Sequence, residues 1–280
     1  MVDQHDAVQE YYASFHEREL DRLLSAEGRL EFALTTRLMA PHLPASGAVL
    51  DLGAGPGRYS AWLAGRGLDV TLADLSANLL ELARRRLQET GAEGAGRVRE
   101  VVRADARDLS RWPDGTFAAT VALGPFYHLP DAADRRRALG EVVRVTAPAG
   151  LVAIALMPTW ALLRRTLSIA DERARLADPA FIEAVLSRGE YTNPHPGRFT
   201  HGYGVDPARV GAELGQAGLR QVLLASTDGF ATGLHDALDE LRVDDAEAYE
   251  AVLELLVRTA GESSLLGTAG HLLYLGRAEG

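Results

Sequence analysis

Apolar residues along this chain follow two different periods. Between about residues 5 and 40, Leu20, Leu23, Leu24, Leu30, Leu34 and Leu38 recur three and four apart with charge between them, which predicts helix. Gly28 predicts a break between two helices, and Pro41 and Pro44 end the segment. From residue 48 the pattern changes to short, near-continuous apolar runs at 48–53, 69–76, 97–105, 117–124 and 151–158. Amphipathic stretches separate them. One closes at Gly65 or Gly67; the next has Ser76 as its N-cap and stops at Gly91; a third is capped by Asp131 and ends at Pro148.

Strand and helix in regular alternation predict a parallel sheet covered on both sides, because strands buried on two faces need continuous apolar runs. After residue 158 the pattern loosens. Residues 159–204 hold helix-like pieces and a turn-rich run, "NPHPGRFTHGYG". A helix resumes after Asp206 and Pro207, strands follow at 219–226 and 271–277, and 229–262 reads mostly as helix. The expected fold class is α/β: a Rossmann-like seven-stranded, mostly parallel sheet with helices on both faces, plus N-terminal helices and an inserted helical cap. The expected division is 1–44 for the N-terminal helices, 45–158 for the core, 159–204 for the inserted cap, and 205–280 for completion of the sheet with a helical insertion at about 228–269. Both insertions follow strands at their carboxyl ends, the edge where open parallel sheets bind ligands.

Composition narrows the function. The 280 residues are 47% hydrophobic, enough for a full core, and 29 cations against 39 acids leave a net charge of −10. That balance disfavours broad contact with nucleic acid, which needs cations to neutralise phosphates. Cysteine is absent, so disulfides, thiolate metal sites and a Cys nucleophile are excluded. No run reaches the roughly 18 apolar residues of a membrane span, and the N-terminus lacks an apolar signal segment. A cytoplasmic protein is expected. Every basic residue in the count is Arg, a usage typical of GC-rich bacterial genomes. The "RRR" runs at 84–86 and 135–137 read as solvated helix faces.

The most informative stretch is "VLDLGAGPGRYS", Val49 to Ser60. Gly53, Gly55 and Gly57 follow a strand and open a helix, and glycine lets backbone approach a ligand that a side chain would block. Three carboxylates sit at the ends of neighbouring strands: Asp51, Asp74 (19 residues past Gly55) and Asp105. A carboxylate at Asp74 can grip a ribose diol, and Asp105 can accept from the exocyclic amine of adenine. Asp51 would repel a pyrophosphate at the helix start, which counts against a nicotinamide dinucleotide. It suits a ligand carrying an ammonium and a sulfonium.

In order and spacing these segments resemble the class I S-adenosylmethionine-dependent methyltransferases. The resemblance rests on "VLDLGAGPGRYS", "VTLADLS", "RADARDL", "VALGPFYHL" and "RRALGEVVRVTAPAGLVAIALMP". It is specific over 45–158 and looser over 205–277. It implies S-adenosyl-L-methionine as cofactor. By the same resemblance Gly53, Ala54 and Gly55 pack on the methionine portion and Asp51 serves its amino group. Asp74 takes the ribose hydroxyls with Leu75 against the adenine, Asp105 and Ala106 bound the other adenine edge, and Leu123 and Gly124 line the floor near the sulfonium. The N-terminal helices resemble a lid, which would bring Tyr11 towards the substrate.

Methyl transfer is a displacement on carbon already activated by positive sulfur, so the protein supplies orientation and, for a protic acceptor, a base. His128, after the fourth strand, is the candidate base; the competing reading is that it only fixes its loop. Tyr127 is a candidate wall of the substrate site, and His201 and Tyr203 are candidate substrate contacts. Arg58 faces either the cofactor carboxylate or the helix surface. No metal-ligand spacing is found. The expected activity is methylation of a hydroxyl, amine or carboxylate on a small molecule, such as a natural product, with no membrane or nucleic-acid partner. A peptide terminus or RNA as acceptor, a nicotinamide-dependent oxidoreductase and a non-catalytic binding protein are the alternatives.

Overall fold

A computed structural model describes residues 21–89, 98–193 and 201–279. Among them nine strands form one sheet. They are β1 (Ala48–Leu52), β2 (Asp69–Asp74), β3 (Val98–Arg103), β4 (Phe117–Ala122), β5 (Thr146–Pro158), β6 (Glu190–Thr192), β7 (His201–Val205), β8 (Leu219–Ser226) and β9 (Leu272–Ala278). The long edge-to-edge order is β3-β2-β1-β4-β5-β9-β8. The first five run parallel; β9 is antiparallel to β5 and to β8. The seven-stranded Rossmann-like sheet read from the sequence is therefore present, with two short strands added.

Those two strands replace a predicted turn. His201 and Tyr203 lie in β7, which pairs antiparallel with β6 and joins β5 through Met157–Gly204 and Pro158–Val205. Glycines at 202 and 204 in "HGYGV" weaken the strand signal, and pairing with β6 and with the far end of β5 supplies the missing partners.

Ten helices of the described residues pack on the sheet: α1 (Ala26–Met39), α2 (Arg58–Gly65), α3 (Ala77–Glu89), α4 (Ala132–Val145), α5 (Thr159–Ser168), α6 (Pro179–Arg188), α7 (Pro207–Gly215), α8 (His235–Asp244), α9 (Ala246–Thr259) and α10 (Ser263–Leu266). One sheet face carries Leu50, Leu52, Val152 and Ile154 against α4 and α7. The other carries Val49, Val70, Ala119 and Val121 against α1, α2 and α9. Alternation along β1 places Asp51 on the side of Val49, facing α2.

Capping chemistry sets several boundaries. Asp131 accepts from Ala133 and Asp134 backbone N–H groups, and Asp206 from Ala208. α4 stops at Val145, earlier than Pro148 suggested, because Thr146 already pairs with Phe117 in the sheet. Gly28 is not the break between helices. The chain breaks at Ser25, whose hydroxyl caps α1 by accepting from Gly28 N–H at 3.1 Å. Gly28 instead permits close packing: a Cβ there would lie 2.3 Å from the Arg22 carbonyl oxygen. Nor is the 135–137 run wholly solvated. Arg135 donates to the carbonyls of Leu129 and Pro130 and stacks on Tyr203 at 3.3 Å from the ring centroid.

Candidate cofactor site

The carboxyl ends of β1, β2, β3 and β4 meet in a cleft with about 1130 Å³ of empty space, its open mouth included. The glycine loop forms one wall. Its first turn is tied to β2, since the N–H groups of Gly53 and Ala54 both donate to the Ala73 carbonyl at 2.8 and 3.1 Å. A Cβ at Gly53 would fall 2.7 Å from Pro125, and one at Gly124 would fall 3.0 Å from the Gly53 carbonyl. The loops after β1 and β4 thus touch, and only glycine fits where they do. Gly55 has φ +54°, and nothing lies within 4 Å of where its Cβ would be. Here the backbone is bare towards open space, the condition for close approach of a ligand.

The three strand-end carboxylates line this cleft but differ in what they do. Asp51 is 2% exposed. Its donors among the described residues are the Ser60 hydroxyl at 2.6 Å and the Ser60 backbone. Burial, opposed by those bonds and reinforced by the Asp74 charge, raises its pKa to about 7. Asp74 braces the loop: one oxygen accepts from Gly55 N–H and the other from Ser76 N–H, each at 2.8 Å. Asp105 accepts from the Arg107 guanidinium at 2.6 Å and from its backbone N–H at 2.9 Å, and Arg107 also pairs with Asp134. Its charge is largely engaged within the protein, leaving the adjoining Ala106 as an apolar boundary of the cleft. Leu75, Leu123, Ala54 and Gly124 complete the lining expected from the sequence.

The turn Phe126–His128 closes the remaining side. Tyr127 lines the cleft, donates to the Leu123 carbonyl at 3.2 Å and packs its ring near His271, 5.5 Å away. His128 also lines the cleft, but burial pushes its pKa down to about 3 against a hydrogen bond to the His201 backbone. It is a neutral imidazole at physiological pH. His201 and Tyr203 do not line the cleft. His201 contributes its backbone to His128, and Tyr203 packs on Arg135 behind the turn. Tyr11 lies outside the described residues.

Sequence reasoning missed Arg22, Leu23, Tyr59 and Ser60, and left Arg58 open between the cofactor and the helix surface. Arg22 and Leu23 form a wall on the N-terminal side, with Tyr59 beside them. Arg58 lines the cleft too, although its guanidinium donates to the Leu23 and Gly28 carbonyls at 2.7 and 2.9 Å. Ser60 was legible in principle. A hydroxyl in the first turn of a helix that faces a strand carboxylate nine residues earlier is placed to hydrogen-bond it.

This donor set fits a cationic nucleoside. The bare backbone at Gly55 admits close contact, and among the described residues the buried carboxylate of Asp51 has no cation bonded to it. Comparison with known proteins agrees. Residues 49–150 match the family model described as a methyltransferase domain. The chain is 35% identical over 186 residues to a demethylmenaquinone methyltransferase of Clavibacter sepedonicus, covering 65% of this chain and 70% of that protein. It is 35% identical over 147 residues to a glycine/sarcosine N-methyltransferase of Parasynechococcus marenigrum, covering 51% of this chain and about half, 49%, of that one. The crystal structure of Burkholderia thailandensis 1,6-didemethyltoxoflavin-N1-methyltransferase, with bound S-adenosylhomocysteine, superposes with a TM-score of 0.56 at 17% identity, over 98% of this chain and 88% of that one. At that identity the likeness shows the shared fold.

Fold and cleft together define a methyltransferase of the Rossmann-like class. The chain belongs to the class I S-adenosylmethionine-dependent methyltransferases, and S-adenosylmethionine is its cofactor.

Proposed function

We propose that the chain methylates a hydroxyl, amine or carboxylate on a small metabolite, of the kind modified in natural-product assembly. The observation that carries this reading is the cover over the carboxyl edge of the sheet. Tyr127 packs against the cluster of Met157, Leu162, Phe181 and Val185, contributed by β5, α5 and α6. On the other side α1 is bound to α8 by the Arg29–Asp239 ion pair and to α9 by Arg37–Glu250 at 2.7 Å. Helices therefore flank the approach to Tyr127 and His128 from two directions, which suits a small acceptor and disfavours a polymer. No described helix is long and apolar enough to cross a membrane.

S-adenosylmethionine, when bound, supplies a methyl group activated by its positive sulfur. The chain's residues supply the placement. Asp51 faces the ammonium of the methionine portion, with Gly53, Ala54 and Gly55 along its backbone. Asp74 accepts from the ribose hydroxyls, Leu75 and Ala106 hold the adenine between them, and Asp105 marks its edge. Leu123 and Gly124 floor the reacting end, with Tyr127 as the wall towards the acceptor. His128, neutral at working pH, acts as a hydrogen-bonding wall rather than as a proton sink. The relatives act on quinone precursors and on glycine or sarcosine by name, both small acceptors. Calorimetric titration with S-adenosylmethionine, S-adenosylhomocysteine and NAD tests the cofactor side; the first two are expected to bind and NAD not. Methyl uptake across a panel of small acceptors, peptides and RNA tests the rest, and uptake confined to peptides or RNA overturns this reading.

A further inference from the structure

Residues 21–28 form a hook in front of the cofactor cleft. Ser25 folds it: its hydroxyl donates to the Arg22 carbonyl at 2.7 Å while accepting from Gly28 N–H. Gly28 lets the hook close on itself, since a Cβ there would meet backbone oxygens of both Arg22 and Leu23. From this hook Arg22 and Leu23 reach the cleft as lining residues. The hook is held from below by one side chain of the glycine-loop helix. Arg58, the first residue of α2, donates through Nη1 to the Leu23 and Gly28 carbonyls, one at each end of the hook's turn. Its guanidinium also lies over the Phe32 ring of α1 at 4.0 Å from the centroid, and Phe32 in turn packs on Tyr59 at 5.1 Å.

This is an odd use of a half-buried cation. Burial lowers the Arg58 pKa, and the bonds given to it run to neutral carbonyls rather than to a carboxylate. A planar fork that stacks on an aromatic face while bridging two carbonyls is a geometry that Arg offers and Lys does not. We propose that Arg58 is a positioning residue that latches the Arg22–Leu23 wall to the glycine loop, so that the cofactor is retained behind a wall fastened to its own binding loop. The latch governs how fast the nucleoside leaves rather than how fast it enters, because Arg22 and Leu23 make their contact with the nucleoside only once it sits in the cleft.

The test uses the full chain and S-adenosylhomocysteine as ligand. Arg58→Met keeps the apolar stem over Phe32 and removes the donors. Stopped-flow binding is expected to show release roughly tenfold faster, the effect of losing about one charge-assisted hydrogen bond, with the association rate within about twofold of wild type. Arg58→Lys is expected to fall short of rescue. In the ligand-free protein, hydrogen exchange of the amides of residues 22–28 is expected to quicken in Arg58→Met while the sheet amides do not change. Gly28→Ala supplies a second route: alanine favours helix, so a purely local effect would stabilise α1, whereas the latch requires the hook to open and release to quicken. Unchanged release in both variants, or unchanged exchange over 22–28 in Arg58→Met, overturns the proposal.

Discussion

Asp51 in the cleft and Glu172 in the segment between β5 and β6 are both buried carboxylates, and their surroundings differ in kind. Glu172 accepts from Arg165 at 3.0 Å, from the Tyr191 hydroxyl at 2.9 Å and from the Asn193 amide at 2.9 Å. It has a cation and two neutral donors, and the α5 and β6 parts of the cap meet on it. Among the described residues Asp51 has one serine and, instead of a cation, a second carboxylate nearby. Burial costs both groups their hydration. For Glu172 the protein offsets that cost from its own side chains, so the group is scaffold. For Asp51 the described residues do not, and under the proposed function the positive charge it lacks among them is the one the cationic cofactor brings. A buried charge left short of partners points to a ligand better than a buried charge does by itself.

Replacing each carboxylate separates scaffold from site. Glu172→Ala removes the buried acceptor shared by Arg165, Tyr191 and Asn193 and is expected to destabilise the fold by about 3–5 kcal/mol, read as a large fall in melting temperature. Cofactor affinity, measured above the lowered transition, is expected to hold within about twofold. Asp51→Asn reverses both outcomes. It keeps an acceptor for Ser60 and removes a desolvated charge, so the melting temperature is expected to hold or rise. Cofactor affinity is expected to fall roughly ten- to hundredfold by calorimetry, the range for a lost charge-assisted contact. Equal effects of the two substitutions on affinity would erase the distinction.

The pH dependence of Asp51 sharpens the contrast. Its folded pKa, about 7, stands above the ordinary 3.8. The folded, ligand-free protein therefore binds a proton there that the unfolded chain does not. This group's contribution to stability grows as pH falls from about 7 towards 3.8, opposite to a salt-bridged carboxylate. A cationic ligand favours the ionised form, so loading releases the proton. Affinity for S-adenosylmethionine is expected to weaken by up to about tenfold per pH unit below 7 and to level off above it. Calorimetry in two buffers of different ionisation enthalpy measures the proton directly, and Asp51→Asn is expected to abolish both signals.

Much of the fold was legible because period and punctuation agree along 48–158: each apolar run is long enough for a strand, and α3 and α4 start at side chains that cap them, Ser76 and Asp131. β6 and β7 were not, because "EYT" and "HGYGV" are too short and glycine-rich to signal strand without their partner on β5. At the site, the glycines and strand-end acids were legible because strand ends and loops are local features. The role of Arg58 was left open and Ser60 was not singled out, since their roles depend on which residues face them across the fold: Leu23 and Gly28 for one, Asp51 for the other. Gly28 misled for a related reason. A glycine signals backbone freedom, and the sequence does not say whether that freedom serves a break or a close contact.

The smallest expected effect concerns His128, where sequence and structure part on chemistry rather than place. A histidine beside the reacting end is the natural candidate for a base, yet this imidazole is buried and pushed down to about 3. With the His201 backbone bonded to it and the Tyr127 ring 4.8 Å away, it stays neutral near pH 7. A group so weakly basic does little for a proton whose removal is needed near pH 7. His128→Asn retains a neutral hydrogen-bonding side chain of smaller size. Turnover on any acceptor that proves active is expected to stay within about threefold of wild type, a cost of well under 1 kcal/mol, with the pH–rate profile unmoved between 5 and 8. Loss of a limb from that profile in the variant would return His128 to the role of base and show that acceptor binding restores its basicity.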